Sequence, residues 1–139
     1  MSKRTYIDAN VLIAAFRSDD ATAARALAIL DDADRRFVTS ALVRLETLPK
    51  PRFHGYQDEV RFIEDFLAAC DEHIVLDEAI ATTAETLAGR HDLAPMDALH
   101  ASAAIRAGVD EFVTLEKPEK PLCRIDGLTV ISLYLSPNA

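Results

Sequence analysis

Short β-branched or aromatic runs alternate along the chain with longer stretches whose apolar residues recur at helical spacing. Thr5-Tyr6-Ile7 reads as a buried strand ending at Asp8, and Ala9 to Arg17 as a helix with Val11, Leu12, Ala15 and Phe16 on one side. Ala21 to Leu30 follows as an Ala-rich helix with Ala23, Leu27 and Leu30 at helical spacing. Phe37-Val38-Thr39 predicts a second strand, and Ser40 suits the cap of a helix from Ala41 to Leu48. Pro49 and Pro51 are expected to stop that helix and give a loop carrying Lys50, Arg52 and His54. Asp58 to Ala69 predicts a long helix with Val60, Ile63, Phe66 and Leu67 as its apolar side. His73 to Leu76 is a third strand and Glu78 to Arg90 another helix. Pro95 suits the first turn of a helix ending at Gly108. Phe112-Val113-Thr114 and Thr129-Val130-Ile131 bring the strands to five.

This alternation predicts an α/β domain with a mainly parallel sheet. No repeat and no linker divides the 139 residues, so one domain spanning 1–139 is expected. In such sheets ligands bind outside the carboxyl ends of the strands. Four acids fall at or near such positions: Asp8 after the first strand, Glu46 in the helix after the second, Asp97 in the first turn after Pro95, and Glu116 after the fourth strand. Each alone has an ordinary reading. Asp8 can cap a helix, Glu46 can be a solvated surface acid, Asp97 can favour a helix dipole, and Glu116 can pair with Lys117. Their joint placement is the stronger signal.

Composition sharpens this picture. Half the residues are hydrophobic and 27% charged, with 4 Gly and 6 Pro, which excludes a disordered or collagen-like chain. The net charge of −8 disfavours a protein that holds nucleic acid by charge alone. That charge is uneven. Residues 1–54 carry nine Lys/Arg against seven Asp/Glu, a net of +2, whereas residues 55–139 carry six against sixteen, a net of −10. Cys70 and Cys123 lack CxxC spacing and are expected to be reduced. The N-terminus shows no apolar stretch of a signal peptide. The longest apolar run, Val11 to Phe16, is far below the roughly 18 residues of a membrane span. A soluble, cytoplasmic protein without membrane contact is expected.

Two motifs, Ile7-Asp8-Ala9-Asn10-Val11-Leu12-Ile13 and Met96-Asp97-Ala98-Leu99-His100-Ala101-Ser102-Ala103, give the chain a family resemblance. With the helix bearing Glu46 and the Val113-Thr114-Leu115-Glu116 turn, the chain resembles the PIN-domain ribonucleases over nearly its whole length. Within that family it resembles in particular the VapC-type toxins of toxin–antitoxin pairs. The resemblance implies a PIN-like α/β/α sandwich and an acidic site of Asp8, Glu46, Asp97 and Glu116, lined by Asn10 and Thr114. Glu116 departs from the family, where Asp is more usual. All-oxygen ligation suits Mg2+ or Mn2+, and the four His are not at metal-ligand spacing. Two such ions about 4 Å apart can activate water and stabilise the leaving oxygen in phosphodiester cleavage. The resemblance implies that reaction on RNA, leaving 5′-phosphate and 3′-hydroxyl ends, with Asp8 and Asp97 as principal ligands.

Arg17, Arg44, Lys50 and Arg52 are then candidate contacts to RNA phosphates, with solvated surface cations as the plainer reading of each. His100, one helical turn past Asp97, reads as a satisfied structural histidine. Lys117 to Pro121 reads as a rigid loop at the site rim. The resemblance further implies a homodimer and a cognate antitoxin whose basic tail occludes the acidic site and competes with metal. Leu27, Ile29 and Leu30, with Val60, Ile63, Phe66 and Leu67, are candidates for such interfaces, although core packing explains them as well.

Two other α/β enzymes fit less well. A HAD-type phosphatase needs a second acid two residues after the first, and position 10 is Asn. A receiver domain needs paired early acids and leaves Glu46 and Asp97 without a role. A non-catalytic PIN-fold module binding RNA or protein is the alternative from another functional class.

Overall fold

The computed structural model describes residues 2–136. Five strands form one parallel sheet in the order β3-β2-β1-β4-β5, from β1 (Lys3–Ile7), β2 (Arg35–Ser40), β3 (Glu72–Ile74), β4 (Glu111–Thr114) and β5 (Val130–Ser132). Between them run α1 (Ala9–Arg17), α2 (Asp20–Leu30), α3 (Ala41–Thr47), α4 (Pro49–His54), α5 (Gln57–Ala69), α6 (Glu78–His91) and α7 (Pro95–Ala107).

Both faces of the sheet are covered, as a parallel sheet requires. The period of two along each strand divides its side chains between two apolar clusters. Tyr6, Val38 and Phe112 enter one cluster, with Leu87 of α6 and Ala101 and Ala104 of α7. Ile7 and Val113 enter the other, with Val11 and Ala15 of α1 and Ala26 of α2. The register agrees, since Tyr6 lies beside both Val38 and Phe112. The expected sandwich is the observed one.

Two local expectations fail. The third strand is Glu72–Ile74, not His73 to Leu76, and Val75 and Leu76 lie beyond it, exposed. Residues 49–54 form a helix, α4, where a loop was expected. Pro49 does end α3, but it also occupies the first position of the next helix, where its missing N–H costs nothing. Pro51 still lies in that first turn, and the first N–H bonded back along the chain is that of Arg52, to the Leu48 carbonyl. Gly55, with φ 72°, ends α4 in a left-handed conformation that other residues adopt at a cost.

The apolar residues named as interface candidates pack in the core, the plainer of the two readings. Ile63 and Leu67 are fully buried, and Leu27, Ile29, Leu30, Val60 and Phe66 pack against the two clusters. Packing explains them. Exposed large apolar residues lie elsewhere, at Phe16, Leu45, Phe53, Tyr56, Val75 and Leu76. Both cysteines are free thiols, Cys70 buried and Cys123 partly so. Among the described residues no helix is long and apolar enough to cross a membrane.

Candidate active site

The carboxyl ends of β1 and β4 meet the N-terminal ends of α1 and α7. Asp8, Glu46, Asp97 and Glu116 all line one cavity there, of about 210 Å3, with Asn10 and His100. Residues far apart in sequence are thus gathered by strand ends, as the topology predicts.

Asp8 occupies the cap position of α1 but makes no side-chain cap bond. Its Oδ2 instead accepts a 2.8 Å bond from the Thr114 hydroxyl. Thr114 Oγ1 in turn accepts from Asn10 Nδ2 at 3.3 Å and from the Glu116 amide at 3.1 Å. Asn10 Oδ1 accepts from the Leu115 amide at 3.1 Å, which pins the turn leading to Glu116. Asn10 lines the cavity, and Thr114, fully buried behind Asp8, orders the site without lining it. The Asn that counted against a HAD-type reading has its own structural task.

Glu46 projects from α3, whose start is capped by Ser40 Oγ accepting from the Leu42 amide at 3.2 Å. Glu46 Oε1 is bonded to His100 Nε2. His100 is buried, its Nδ1 lies 2.7 Å from the Tyr6 hydroxyl, and that hydroxyl lies 2.7 Å from Ser40 Oγ. A carboxylate only accepts, so Nε2 carries the proton toward Glu46. With a single ring proton on Nε2, Nδ1 is left to accept from Tyr6, and the Tyr6 oxygen to accept from Ser40. Burial pushes the Tyr6 phenol well above its usual range, which keeps it a donor. Ser40, Tyr6 and His100 form one directed chain ending on Glu46.

No pair of histidines has metal-ligand spacing along the sequence, yet the fold brings one histidine to the acids. Ligand atoms of Asp8, Glu46 and His100 lie within 4.8 Å of one another, with His100 Nε2 3.9 Å from Asp8 Oδ1. His100 is satisfied by hydrogen bonds, as expected, but at the heart of the site. Its only sequence signal was the i,i+3 spacing from Asp97, which puts the two on one helix face. Its contacts with residues 6 and 46 arise only on folding.

The charges here oppose one another. Burial, then the Glu116 and Asp8 carboxylates, push Asp97 up to about 6. Burial also raises Asp8, against the partial relief of His100 and the Thr114 hydroxyl. Uncompensated carboxylates with free oxygen lone pairs form a donor set that fits a hard divalent cation, since such a cation supplies the missing positive charge.

The four candidate RNA-contacting cations do not form one patch. Lys50 lines a cavity next to Glu46, together with Arg17. Arg17 Nε reaches both oxygens of buried Glu59, at 2.9 and 2.8 Å, so its charge is already engaged. Arg44 is exposed, but two residues from Glu46 on a helix places it on a different side. Arg52 lines a separate cavity and lies 3.7 Å from Glu64. The expected rim loop leads into a 3-10 turn (Pro121–Arg124), and Lys117 lies over the Tyr134 ring at 5.6 Å.

The PIN domain family profile matches residues 5–118. The chain belongs to the PIN domain family. No curated protein sequence matches it significantly. Among solved structures, a toxin-antitoxin complex from Klebsiella pneumoniae contains a chain superposing with a TM-score of 0.69 at 18% identity, over 94% of this chain and 98% of that one. A chain of VapBC2 from Rickettsia felis, bound to a DNA fragment from its promoter, gives 0.69 at 15% identity, over 93% and 98%. DNA-bound VapBC from Salmonella typhimurium gives 0.64 at 15%, over 96% and 99%. At these identities the likeness is one of fold. The PIN family is the one whose resemblance the two acidic motifs carried, and it leaves no place for the HAD-type and receiver readings.

Proposed function

We propose that the protein is a metal-dependent endoribonuclease, the VapC-type toxin of a toxin–antitoxin pair, working as one domain over residues 1–139. The observation that carries this reading is the convergence of Asp8, Glu46, Asp97 and Glu116 on one cavity of a PIN-domain chain. Asp8 and Asp97 would be the principal ligands of Mg2+ or Mn2+, with Glu46 and Glu116 ligating or orienting water. Bound divalent cations supply an activated water and stabilise the leaving oxygen of a phosphodiester, in a two-metal arrangement.

The chain's own residues prepare that site. Thr114 donates to Asp8 Oδ2 and frees the opposite oxygen for the cavity. Asn10 holds the Glu116 turn against β4 through the Leu115 amide. His100 fixes one oxygen of Glu46 and leaves the other for water or metal. With ions in place, no histidine or lysine is required as general base. The products would carry 5′-phosphate and 3′-hydroxyl ends.

The fold shared with toxin-antitoxin complexes supports a cognate antitoxin as partner, with a basic segment suited to the acidic cavity. A homodimer and a cytoplasmic location belong to the same reading. Brief expression in cells tests it. Wild-type protein is expected to arrest growth and leave RNA cut at defined positions, and the antitoxin encoded beside it to relieve both. Asp8→Asn protein, expressed equally, should do neither. RNA cut to the same extent by Asp8→Asn protein would refute the reading, and RNA bound but never cut would make the protein a binding module.

A further inference from the structure

The acidic cavity is walled by a ring nitrogen as well as by oxygens. One ligand atom each of Asp8, Glu46 and His100 lies within 4.8 Å of the other two. His100 Nε2 is 3.9 Å from Asp8 Oδ1, a separation that two bonds of about 2.1 Å to one ion can span. The far atom of each buried ligand is already held. Thr114 donates to Asp8 Oδ2, and the Tyr6 hydroxyl lies 2.7 Å from His100 Nδ1. A histidine that binds metal through one ring nitrogen almost always has such a partner at the other. Glu46, with its side chain 34% exposed, has room to turn from hydrogen-bonding His100 to sharing an ion with it. Among the described residues no other three His, Cys, Asp or Glu side chains come together in this way.

We propose that Asp8, Glu46 and His100 form a zinc site, and that zinc bound there holds the protein inactive. The inhibition rests on the nuclease reading, whereas the site stands on its own geometry. Mg2+ takes oxygen ligands in near-octahedral geometry and has no use for His100. Zn2+ readily combines imidazole nitrogen with carboxylate oxygen, often as three protein ligands and a water. At one site of mixed nitrogen and oxygen it also binds more tightly than Mn2+, by the general order of divalent affinities. The charges balance, since two carboxylates meet the two charges of the ion and a metal-bound imidazole is neutral. When zinc binds, Nε2 gives up its proton and Nδ1 carries one instead, donated to the Tyr6 oxygen. The Tyr6 hydroxyl then turns to donate to Ser40 Oγ, 2.7 Å away. Hydroxyls reverse direction without moving their oxygens, so the buried chain serves both forms. A zinc ion in this place takes up the Asp8 and Glu46 oxygens on which a two-ion arrangement depends, and cleavage stops.

The test measures binding without RNA. The full chain, freed of metal, is titrated with Zn2+ and with Mn2+ against a competing chromogenic chelator. Zn2+ is expected to bind at least roughly tenfold more tightly than Mn2+. His100→Gln separates ligation from positioning, because its side-chain amide can still donate to Glu46 but offers zinc no ring nitrogen. Its Mn2+ affinity should stay within about threefold of wild type, whereas its Zn2+ affinity should fall roughly hundredfold. Nitrogen-15 NMR should show His100 Nε2 losing its proton when Zn2+ is added and keeping it with Mg2+. Zn2+ should also stop RNA cleavage by the Mn2+-loaded wild type. The proposal is overturned if Zn2+ binds no more tightly than Mn2+, if His100→Gln with unchanged melting binds Zn2+ as wild type does, or if Nε2 keeps its proton in the zinc form. Cleavage of RNA by zinc-loaded protein at the Mn2+ rate would overturn it too. Failure of the nuclease reading would appear elsewhere, as wild-type protein leaving RNA intact with Mn2+ alone.

Discussion

Asp97 links the acidic cavity to both stability and pH. Its carboxyl is raised from 3.8 to about 6, by burial first and then by Glu116 and Asp8. Between those values the folded protein holds a proton that the unfolded chain has lost, so metal-free stability falls as pH rises through this window. Asp97→Asn removes that loss. Its melting temperature without metal should exceed that of wild type near neutral pH, with the gap closing below about pH 4. Metal binding requires the deprotonated carboxylates, so Mn2+ affinity should climb with pH through about 6 and release protons on titration calorimetry.

His100 carries the second prediction at this scale. The Ser40–Tyr6–His100 chain favours the tautomer with its proton on Nε2, facing Glu46. Nitrogen-15 NMR should show that tautomer in the metal-free wild type and a mixture in Tyr6→Phe, where Nδ1 loses its donor. His100→Ala should weaken Mn2+ binding roughly tenfold by freeing Glu46, the usual effect of removing an orienting partner. An Nε2 without its proton, which is the form of a direct metal ligand, would contradict the assignment.

At the scale of elements, α3 and α4 decide where the site opens. Ser40 both caps α3 and donates toward Tyr6, so Ser40→Ala should cost about 1 kcal/mol for the cap. Gly55→Ala should also cost about 1 kcal/mol, by the backbone conformation alone, since nothing lies within 4 Å of the added methyl. Denaturant unfolding reads both. The inner strands were legible because β1, β2 and β4 each hold a short β-branched or aromatic run buried in the parallel sheet, whereas edge strand β3 is Glu72–Ile74, only partly buried, and leaves out the expected Val75 and Leu76. The carboxylates were legible because parallel topology collects strand ends. Helix α4 was not, because Pro49 and Pro51 break a helix from within yet are harmless in its first turn. Nor were the buried partners His100 and Glu59, whose contacts join residues 54 and 42 positions apart and leave no local pattern.

Over the whole molecule, the net charge of −8 ceases to argue against a nucleic-acid substrate. Four of those acids line one cavity, and the remaining excess lies mostly beyond residue 55. If the protein acts on RNA as proposed, charge outside the pocket limits general attraction, and binding would rest on the cavity walls and on metal. A divalent ion that occupies the pocket stabilises the fold by mass action, by about 2.7 kcal/mol at one hundred times its dissociation constant. Thermal unfolding with added Mn2+ should show that rise in wild type and lose most of it in Asp8→Asn. The most direct measurement is cleavage of RNA by purified wild-type protein with Mn2+ or Mg2+, compared with chelated protein and with Asp8→Asn and Asp97→Asn. Metal-dependent cleavage leaving 5′-phosphate ends, abolished by chelation and by either substitution, is predicted. Cleavage that survives both substitutions, or that proceeds with metal removed, would contradict the account.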